Sequence, residues 1–125
     1  MKLKAVIDFI DEIKPNAFTP EQKTRWISEA EGRIQTEIFL LAPAEVIPYD
    51  YGRDANSELL VAAPYDDLYT AYLAAMVDYA NGEYSRYANT AEMFKARYTA
   101  FARWFSQRYR PADKLEDFIC HFDRG

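Results

Sequence analysis

Few side chains in this sequence could act as nucleophiles or transfer protons. The single histidine, His121, directly follows the single cysteine, Cys120, near the end of the chain. A nucleophile needs a base within hydrogen-bonding reach, and residues adjacent in sequence point in different directions on a helix or a strand. Cys120 and His121 are therefore interpreted as ordinary residues of the C-terminal segment and not as a catalytic pair.

A weak site for a divalent metal ion is the other chemistry that this segment could offer. Asp117 and His121 are four residues apart, and Asp123 is close to both. The segment lacks the second histidine of helical zinc motifs, and the chain has no Glu-x-x-His sequence of the kind that holds iron in helical bundles. We therefore expect no metal ion and no other cofactor.

Neighbouring acidic residues are the remaining candidates for acid–base catalysis. The pairs are Asp11/Glu12, Glu29/Glu31 and Asp66/Asp67. The first two pairs are expected on exposed helix faces, and the third in the first turn of a helix, where carboxylates are favourable. There is also no glycine-rich loop of the kind that binds phosphate groups. The sequence predicts no enzyme.

Composition and length predict one α-helical domain. The chain has 125 residues, 16% of them aromatic, and only four glycines, which argues against a turn-rich β fold. No apolar run reaches 18 residues, so we expect no membrane-spanning helix. Acidic residues interrupt the first 16 positions, so we expect no signal peptide, and a single cysteine fits a reducing compartment such as the cytoplasm.

The net charge of −5 is spread unevenly along the chain. Residues 43–88 carry −6, whereas residues 89–125 carry +2. A protein that binds duplex DNA is expected to have a concentrated basic face. The basic residues near the C-terminus (Lys95, Arg97, Arg103, Arg108 and Arg110) instead scatter around a helix axis at about 100° per residue.

The expected fold is all-α, with a short N-terminal helix and three main helices packed as a small bundle. A short helix is predicted over residues 3–13, and Thr19, Pro20 and Gln22 then form the capping signature of a second helix. Residues 43–64 contain three prolines and are predicted to be a long loop or a loose hairpin. The three main helices are expected over about 20–41, 65–86 and 89–109, with residues 1–110 as the domain and 111–125 as a C-terminal tail.

Tyrosines form a stripe at helical spacing along the predicted third helix. They are Tyr65, Tyr69, Tyr72 and Tyr79, with Met76 in the gap. We expect this stripe to pack inside the protein against the aromatic residues of the next helix. A protein interface is the second interpretation, and stacking of bases is the least favoured because few basic residues are close by. For Tyr49 and Tyr51, contact with another chain and local packing are equally favoured.

Two stretches of the sequence resemble the small head–tail connector proteins of long-tailed bacteriophages and prophages, in the form common among phages of low-GC Gram-positive bacteria. They are "EIKPNAFTPEQKTRWISEAEGRIQTEI" and "APYDDLYTAYLAAMVDYANGEYSRYANTAEMFKARYTAFARWF". Together they cover about residues 10 to 106, with residues 43–63 less characteristic. The shared features are "KPN", a tryptophan followed by "EGRI", then "PYDDLY", "DYANGE" and "RYAN" in this order.

The resemblance implies an α-helical adaptor without catalytic activity, made in the host cytoplasm and located at the head–tail junction of the virion. Such proteins form a ring, usually of twelve subunits, beneath the portal protein and extend the DNA channel, through which DNA passes without specific binding. They also provide the seat for a tail-side stopper or completion protein. The free subunit is expected to be monomeric or weakly associated. No contact with a membrane is implied.

The candidate interface residues follow from this resemblance and from the charge distribution. The C-terminal segment of such proteins often reaches toward the portal. Residues 111–125 match that role because they follow the last long helix and contain several apolar side chains. The acidic middle and the basic C-terminal third could also attract each other between ring neighbours. The candidate interface residues are Tyr49, Tyr51, Arg103, Arg108, Arg110, Phe118, Ile119 and Phe122.

The alternative hypothesis is a small helical regulatory or nucleic-acid-binding protein of a mobile element. It requires a basic helix whose side chains reach the bases, which the scattered basic residues of the fourth helix do not provide.

Overall fold

The chain is mostly α-helical over residues 1–108, which are the residues that the computed structural model describes. This part of the chain contains five α-helices and no β-strand, so the all-α prediction is confirmed for it. The helices, in chain order, are α1 (Leu3–Ile13), α2 (Pro20–Arg33), α3 (Tyr51–Asp54), α4 (Asp67–Ala80) and α5 (Tyr84–Arg108).

The first helix, α1, has the bounds that its sequence predicts. Its apolar residues recur at helical spacing, so they share one face. The residues of this face, which are fully or almost fully buried, are Leu3, Val6, Ile7 and Ile10. Phe9 and Ile13 lie outside this buried face and remain exposed.

The second helix, α2, begins at the predicted cap but ends earlier than predicted. The hydroxyl of Thr19 accepts a hydrogen bond from the N–H of Gln22 at 3.1 Å, which confirms the N-cap. After α2 the chain widens into a π-helical turn, Ile34–Ile38, and Leu40 then adopts the left-handed conformation with φ of 63°. A residue in this conformation ends a helix. The prediction that the helix continues to residue 41 is therefore wrong.

The segment between residues 43 and 64 is a loop, without the hairpin that was the alternative prediction. It contains a 3₁₀ turn at Pro43–Glu45, the short helix α3, and an isolated bridge between Glu58 and Lys2. The N–H of Leu3 donates to the carbonyl of Ser57 at 3.0 Å. The first N–H groups of a helix lack partners inside the helix, so a carbonyl of the loop provides a hydrogen-bond acceptor for one N–H at the start of α1.

The last two helices are divided at a different point from the one that the sequence pattern predicts. The predicted helices at 65–86 and 89–109 are observed as α4 and α5, so their bounds are corrected to 67–80 and 84–108. Residue 109 lies outside the described residues. Asn89, the first residue of the helix predicted over 89–109, lies inside α5.

Gly82 forms the actual boundary between α4 and α5. Its φ of 74° is in the left-handed region. The N–H of Gly82 donates to the carbonyl of Tyr79 at 3.0 Å, and the N–H of Glu83 donates to that of Asp78 at 2.9 Å. These two bonds around a left-handed residue form a Schellman motif, which ends α4 and lets the chain reverse direction.

The hairpin of α4 and α5 has the most extensive contact between any two of the described helices, and α1 and α2 both pack against α4. Aromatic pairs set the register of this hairpin, because Tyr72 packs on Phe94 and Tyr65 on Phe101. In both pairs the two residue numbers add up to the same value, as expected when two antiparallel helices keep a single register. The core of the described chain lies between α1, α2 and this hairpin, with Leu59 and Val61 added from the loop.

Two buried charged residues connect the helices across the core. Asp78 of α4 accepts hydrogen bonds from Lys14 at 2.7 Å and from Thr90 of α5 at 3.0 Å. Lys23 of α2 pairs with Asp11 of α1 at 2.5 Å. Buried charges are tolerated when they are paired and hydrogen-bonded, so these contacts fix α1 and α5 relative to α4 and α2.

Candidate protein-interaction surfaces

The tyrosine stripe lies partly inside the contact between α4 and α5, as predicted. The Tyr72 ring lies 4.9 Å from that of Phe94, measured between ring centroids. The Tyr65 ring, just before α4, lies 6.0 Å from Phe101 and 5.5 Å from Trp104. These rings provide apolar contact area inside the hairpin.

Tyr69 is different, because its hydroxyl reaches a buried carboxylate of α2. This hydroxyl donates to Oε2 of Glu31 at 2.5 Å and accepts from the N–H of Val61 at 2.9 Å. The hydroxyl of Tyr49 donates to Oε1 of Glu31 at 2.5 Å, and the N–H of Leu60 donates to Oε2 at 2.8 Å. Glu31 is 2% exposed. The prediction of an exposed face for Glu31 is therefore wrong.

Burial and the adjacent carboxylate keep both tyrosines protonated. Burial, followed by the hydrogen bond and the charge of Glu31, raises the pKa of Tyr49 well above its ordinary value, and burial with the same charge raises the pKa of Tyr69. Both hydroxyls therefore remain donors toward Glu31. The sequence contained a signal for the burial of Glu31, because Glu31 lies four residues after Ile27 and three before Ile34 and so shares their helix face. Both isoleucines are buried.

Tyr49 and Tyr51 lie against the core, which is the local packing considered for them from sequence. Both side chains are partly buried and contact the buried cluster. The N–H of Tyr49 also donates to the hydroxyl of Ser28 at 2.9 Å, which fixes this part of the loop on α2. Contact of these two tyrosines with another chain stays a prediction.

A groove between α2, α4 and α5 combines aromatic rings with positive charges, and we name it the tyrosine groove. Its volume is about 360 Å³. The residues that define it are Arg33, Tyr72, Met76, Tyr87, Lys95 and Tyr98. The guanidinium of Arg33 lies 5.4 Å from the centroid of the Tyr98 ring, which is a cation–π contact.

Carboxylates hold the tyrosine hydroxyls of this groove in place. Tyr98 donates to Glu37 at 2.5 Å, and Tyr72 donates to Glu29 at 3.2 Å. Burial, followed by the charge and the hydrogen bond of Glu29, raises the pKa of Tyr72 to about 12. Burial and the hydrogen bond to Glu37 also raise the pKa of Tyr98. Carboxylates of the same chain thus satisfy both hydroxyls.

A second groove, between α1, α4 and α5, is almost entirely apolar, and we name it the apolar groove. Its volume is about 280 Å³. The residues that define it are Phe9, Ile13, Ala71, Ala74, Thr90 and Met93, with Asp67 and Arg97 at one edge. Arg97 donates to Asp67 at 3.1 Å, so the edge charges neutralise each other.

Three large apolar side chains of the apolar groove are exposed. The exposed fraction is 41% for Phe9, 55% for Ile13 and 49% for Met93. These positions were not singled out from sequence. The available signal was that Phe9 and Met93 lie off the apolar stripes that form the core of their helices.

The remaining candidate residues lie at or beyond the end of α5. Arg103 and Arg108 are exposed, and neither forms an ion pair with another residue of the described part of the chain. Four further candidate interface residues lie outside residues 1–108, namely Arg110, Phe118, Ile119 and Phe122. Cys120 and His121 also lie outside that range.

Within residues 1–108, no group of three or more His, Cys, Asp or Glu side chains lies together in a way that could hold a metal ion. Within the same range, no helix is long and apolar enough to cross a membrane. Comparisons with known proteins found no matching family model, no similar characterised protein and no similar solved structure.

Proposed function

We propose that this chain is a structural subunit of a bacteriophage head–tail connector. In this proposal it forms a ring beneath the portal vertex, extends the DNA channel and joins the capsid to the tail. The resemblance over residues 10 to 106 suggests this class of protein. The observation that carries the proposal is a pair of unlike grooves on the two sides of the α4–α5 hairpin.

A closed ring requires two different complementary surfaces on every subunit. Such heterologous contacts close into a ring when the rotation between neighbours divides a full circle. Thr90, Met93 and Arg97 of α5 line the apolar groove, whereas Tyr87, Lys95 and Tyr98 line the tyrosine groove. The two groups lie on different faces of one helix, so neighbours on the two sides would meet different chemistry.

The charge distribution provides opposite charges for the proposed contact between ring neighbours. Residues 43–88 carry −6, and Arg103 and Arg108 are exposed without an ion pair among the described residues. An acidic surface of one subunit can therefore attract the basic end of α5 in the next. The same acidic segment would weaken the binding of DNA phosphates in the channel.

The proposed partners are further copies of the chain, twelve per ring, the portal protein and a tail-side stopper or completion protein. Native mass spectrometry of the chain with and without the portal protein of the same phage genome tests this set. We expect mostly monomer alone and a ring-sized complex with the portal. A chain that forms no complex with the portal at any tested ratio would contradict the proposal.

Nucleic-acid binding is the second candidate, and the tyrosine groove is the observation that favours it. Arg33 and Lys95 beside three tyrosine rings provide the positive charge and the aromatic surface that bind single strands. Glu29 and Glu37 at the same groove oppose phosphates. Fluorescence anisotropy with single- and double-stranded DNA at rising salt separates the two functions. Salt-sensitive binding at physiological ionic strength, without portal binding, would favour this second candidate.

A further inference from the structure

One further exposed apolar side chain of α5, Trp104, lies beyond the apolar groove toward the end of the helix. Met93, Arg97, Trp104 and Arg108 follow each other at intervals of four, seven and four residues, so they lie on one side of α5. Met93 is 49% exposed and Trp104 is 39% exposed. One side of α5 thus carries a stripe from the apolar groove to Arg108 in which two exposed apolar residues, Met93 and Trp104, alternate with Arg97 and Arg108.

The apolar groove adds further exposed apolar side chains beside Met93. Phe9 and Ile13 of α1 lie beside Met93 in the groove, and all three are at least 41% exposed. The charged groups at the edge, Asp67 and Arg97, are already paired with each other. Contiguous apolar surface of this kind usually marks a place where another segment or chain binds.

The sequence beyond Arg108 contains a segment with complementary apolar spacing. Leu115, Phe118, Ile119 and Phe122 recur at i, i+3, i+4 and i+7, which places them on one side if the segment is helical. Pro111 precedes them and predicts that the helix of α5 does not continue in its direction. The chain therefore has, directly after α5, an apolar segment that could lie against an apolar surface.

The length of the chain after Arg108 is sufficient to reach the groove. Along α5, Arg97 lies 11 residues before Arg108 and Met93 lies 15 before it, or about 17 Å and 23 Å at 1.5 Å per residue. The seven residues from Arg108 to Leu115 can span up to about 23 Å. The apolar segment can therefore be placed beside Met93 without any change in the described helices.

We propose that the apolar groove binds the C-terminal segment of the same chain, with Leu115, Phe118, Ile119 and Phe122 against Phe9, Ile13 and Met93. The segment is the occupant because it begins at the end of the stripe, has the required apolar spacing and is long enough. Its binding covers the three exposed side chains of the groove. If the chain is a ring subunit as proposed above, the groove and the bound segment together form the surface that this side of the hairpin offers to a neighbouring subunit.

Cys120 provides a unique position for a test on the full chain. It is the only cysteine, and on a helical projection it points away from the side that carries Leu115, Phe118, Ile119 and Phe122. A nitroxide on Cys120 broadens the NMR signals of nearby methyl groups. Met93 lies in the apolar groove and Met76 in the tyrosine groove, so their methyl groups report on the two sides of the hairpin.

We expect the nitroxide to broaden the Met93 methyl signal strongly and the Met76 signal weakly. Equal broadening of both signals, or none of either, would overturn the proposal. The double variant Phe118→Ser/Ile119→Ser should remove the selective broadening, and the control Asp113→Ser/Lys114→Ser should keep it. If the nitroxide still broadens the Met93 signal selectively in the Phe118→Ser/Ile119→Ser variant, the proposed contact of these two residues with the apolar groove is refuted.

A mixed sample decides whether the segment binds its own chain. Isotope-labelled Cys120→Ser protein is mixed with spin-labelled protein that carries no isotope label. We expect no broadening of Met93 in this mixture. Broadening there would assign the groove to the segment of a second copy and overturn the proposal. None of these measurements needs a ring or a portal, so they are independent of the test of the connector function.

Discussion

At the scale of single residues, Glu31 is the most constrained group of the described chain. It accepts three hydrogen bonds, from Tyr49, Leu60 and Tyr69, and forms no ion pair within residues 1–108. A buried carboxylate is costly unless hydrogen bonds replace its water. Because its donors come from the loop and from α4, Glu31 of α2 sets the position of the 43–64 loop.

Replacement of Glu31 by glutamine should destabilise the fold by about 1–3 kcal/mol. The amide nitrogen of glutamine is a donor, and it would face groups that donate to the carboxylate. The control Glu29→Gln changes an exposed residue with a single 3.2 Å bond and should cost no more than about 0.5 kcal/mol. Urea denaturation followed by circular dichroism measures both values, and equal losses would contradict the assigned role of Glu31.

The raised pKa of Tyr72 predicts a loss of stability at alkaline pH. The folded protein holds the phenol proton up to a pKa of about 12, whereas the ordinary value is 10.0. Between these two values the folded state binds more protons than the unfolded state, so the free energy of unfolding falls as the pH rises from about 10 to 12.

Tyr72→Phe should therefore reduce the slope of this alkaline loss. Urea midpoints at a series of pH values between 9 and about 12 measure it. Tyr84→Phe serves as the control, because that ring is 65% exposed and its hydroxyl makes no hydrogen bond with the described residues. A slope that is unchanged by Tyr72→Phe would contradict the prediction.

At the scale of elements, the ends of the helices determine where the two grooves form. The Schellman motif at Gly82 aligns α4 with α5 so that Tyr72 meets Phe94. The left-handed Leu40 ends the π-helical turn after α2, and Phe39 there packs on Phe105 of α5 at 5.1 Å. Because α4 and α5 line both grooves, each groove depends on the backbone conformation at Gly82 as well as on the side chains that line it.

Gly82→Ala should cost about 1–2 kcal/mol, because an L-residue is strained at a φ of 74°. No atom lies within 4 Å of an added Cβ, so the cost would arise from the backbone alone. Gly52→Ala is the matched control, since its Cβ would make an ordinary 3.6 Å contact with Asp50 and its φ is not in the left-handed region. Thermal unfolding by calorimetry compares the two variants. An equal loss for Gly52→Ala would contradict this explanation.

At the scale of the whole molecule, different parts of the surface differ in charge and in polarity. The acidic segment includes the 43–64 loop and α4, whereas Arg103 and Arg108, which form no ion pair within residues 1–108, lie at the C-terminal end of α5. The apolar groove and the tyrosine groove occupy different sides of the hairpin. A subunit with this distribution offers different surfaces to neighbours on its two sides, which is the property required by the proposed ring.

The double variant Arg103→Glu/Arg108→Glu should weaken ring assembly on the portal by about tenfold, because two attractions become repulsions. Its free energy of unfolding should change by less than about 0.5 kcal/mol, since both side chains are exposed. Native mass spectrometry at increasing subunit concentration measures the assembly.

The control Lys4→Glu/Arg25→Glu changes the net charge equally at exposed positions of α1 and α2, outside the acidic segment 43–88. It should leave assembly nearly unchanged. If both double variants weaken assembly to the same degree, net charge and not the basic end of α5 is responsible, and the electrostatic contact proposed for the ring is wrong.

The sequence by itself determined the helical class, the bounds of α1 and the cap at Thr19, because these depend on apolar spacing and on hydrogen bonds between near neighbours. It also predicted that aromatic residues of α4 pack on α5. It misplaced the break at Gly82, although "NG" was a visible signal, because "YANT" was interpreted as the break and its Asn89 as the cap of the next helix.

Only the tertiary structure decided which polar residues are buried and which apolar residues are not. Glu31 and Lys23 lie inside because donors and acceptors from distant segments surround them, and such partners cannot be read from local spacing. Phe9, Ile13 and Met93 remain exposed because α1, α4 and α5 pack with a gap between them. Burial depends on the arrangement of whole helices, and this is why periodicity alone could predict the helices but not the surfaces.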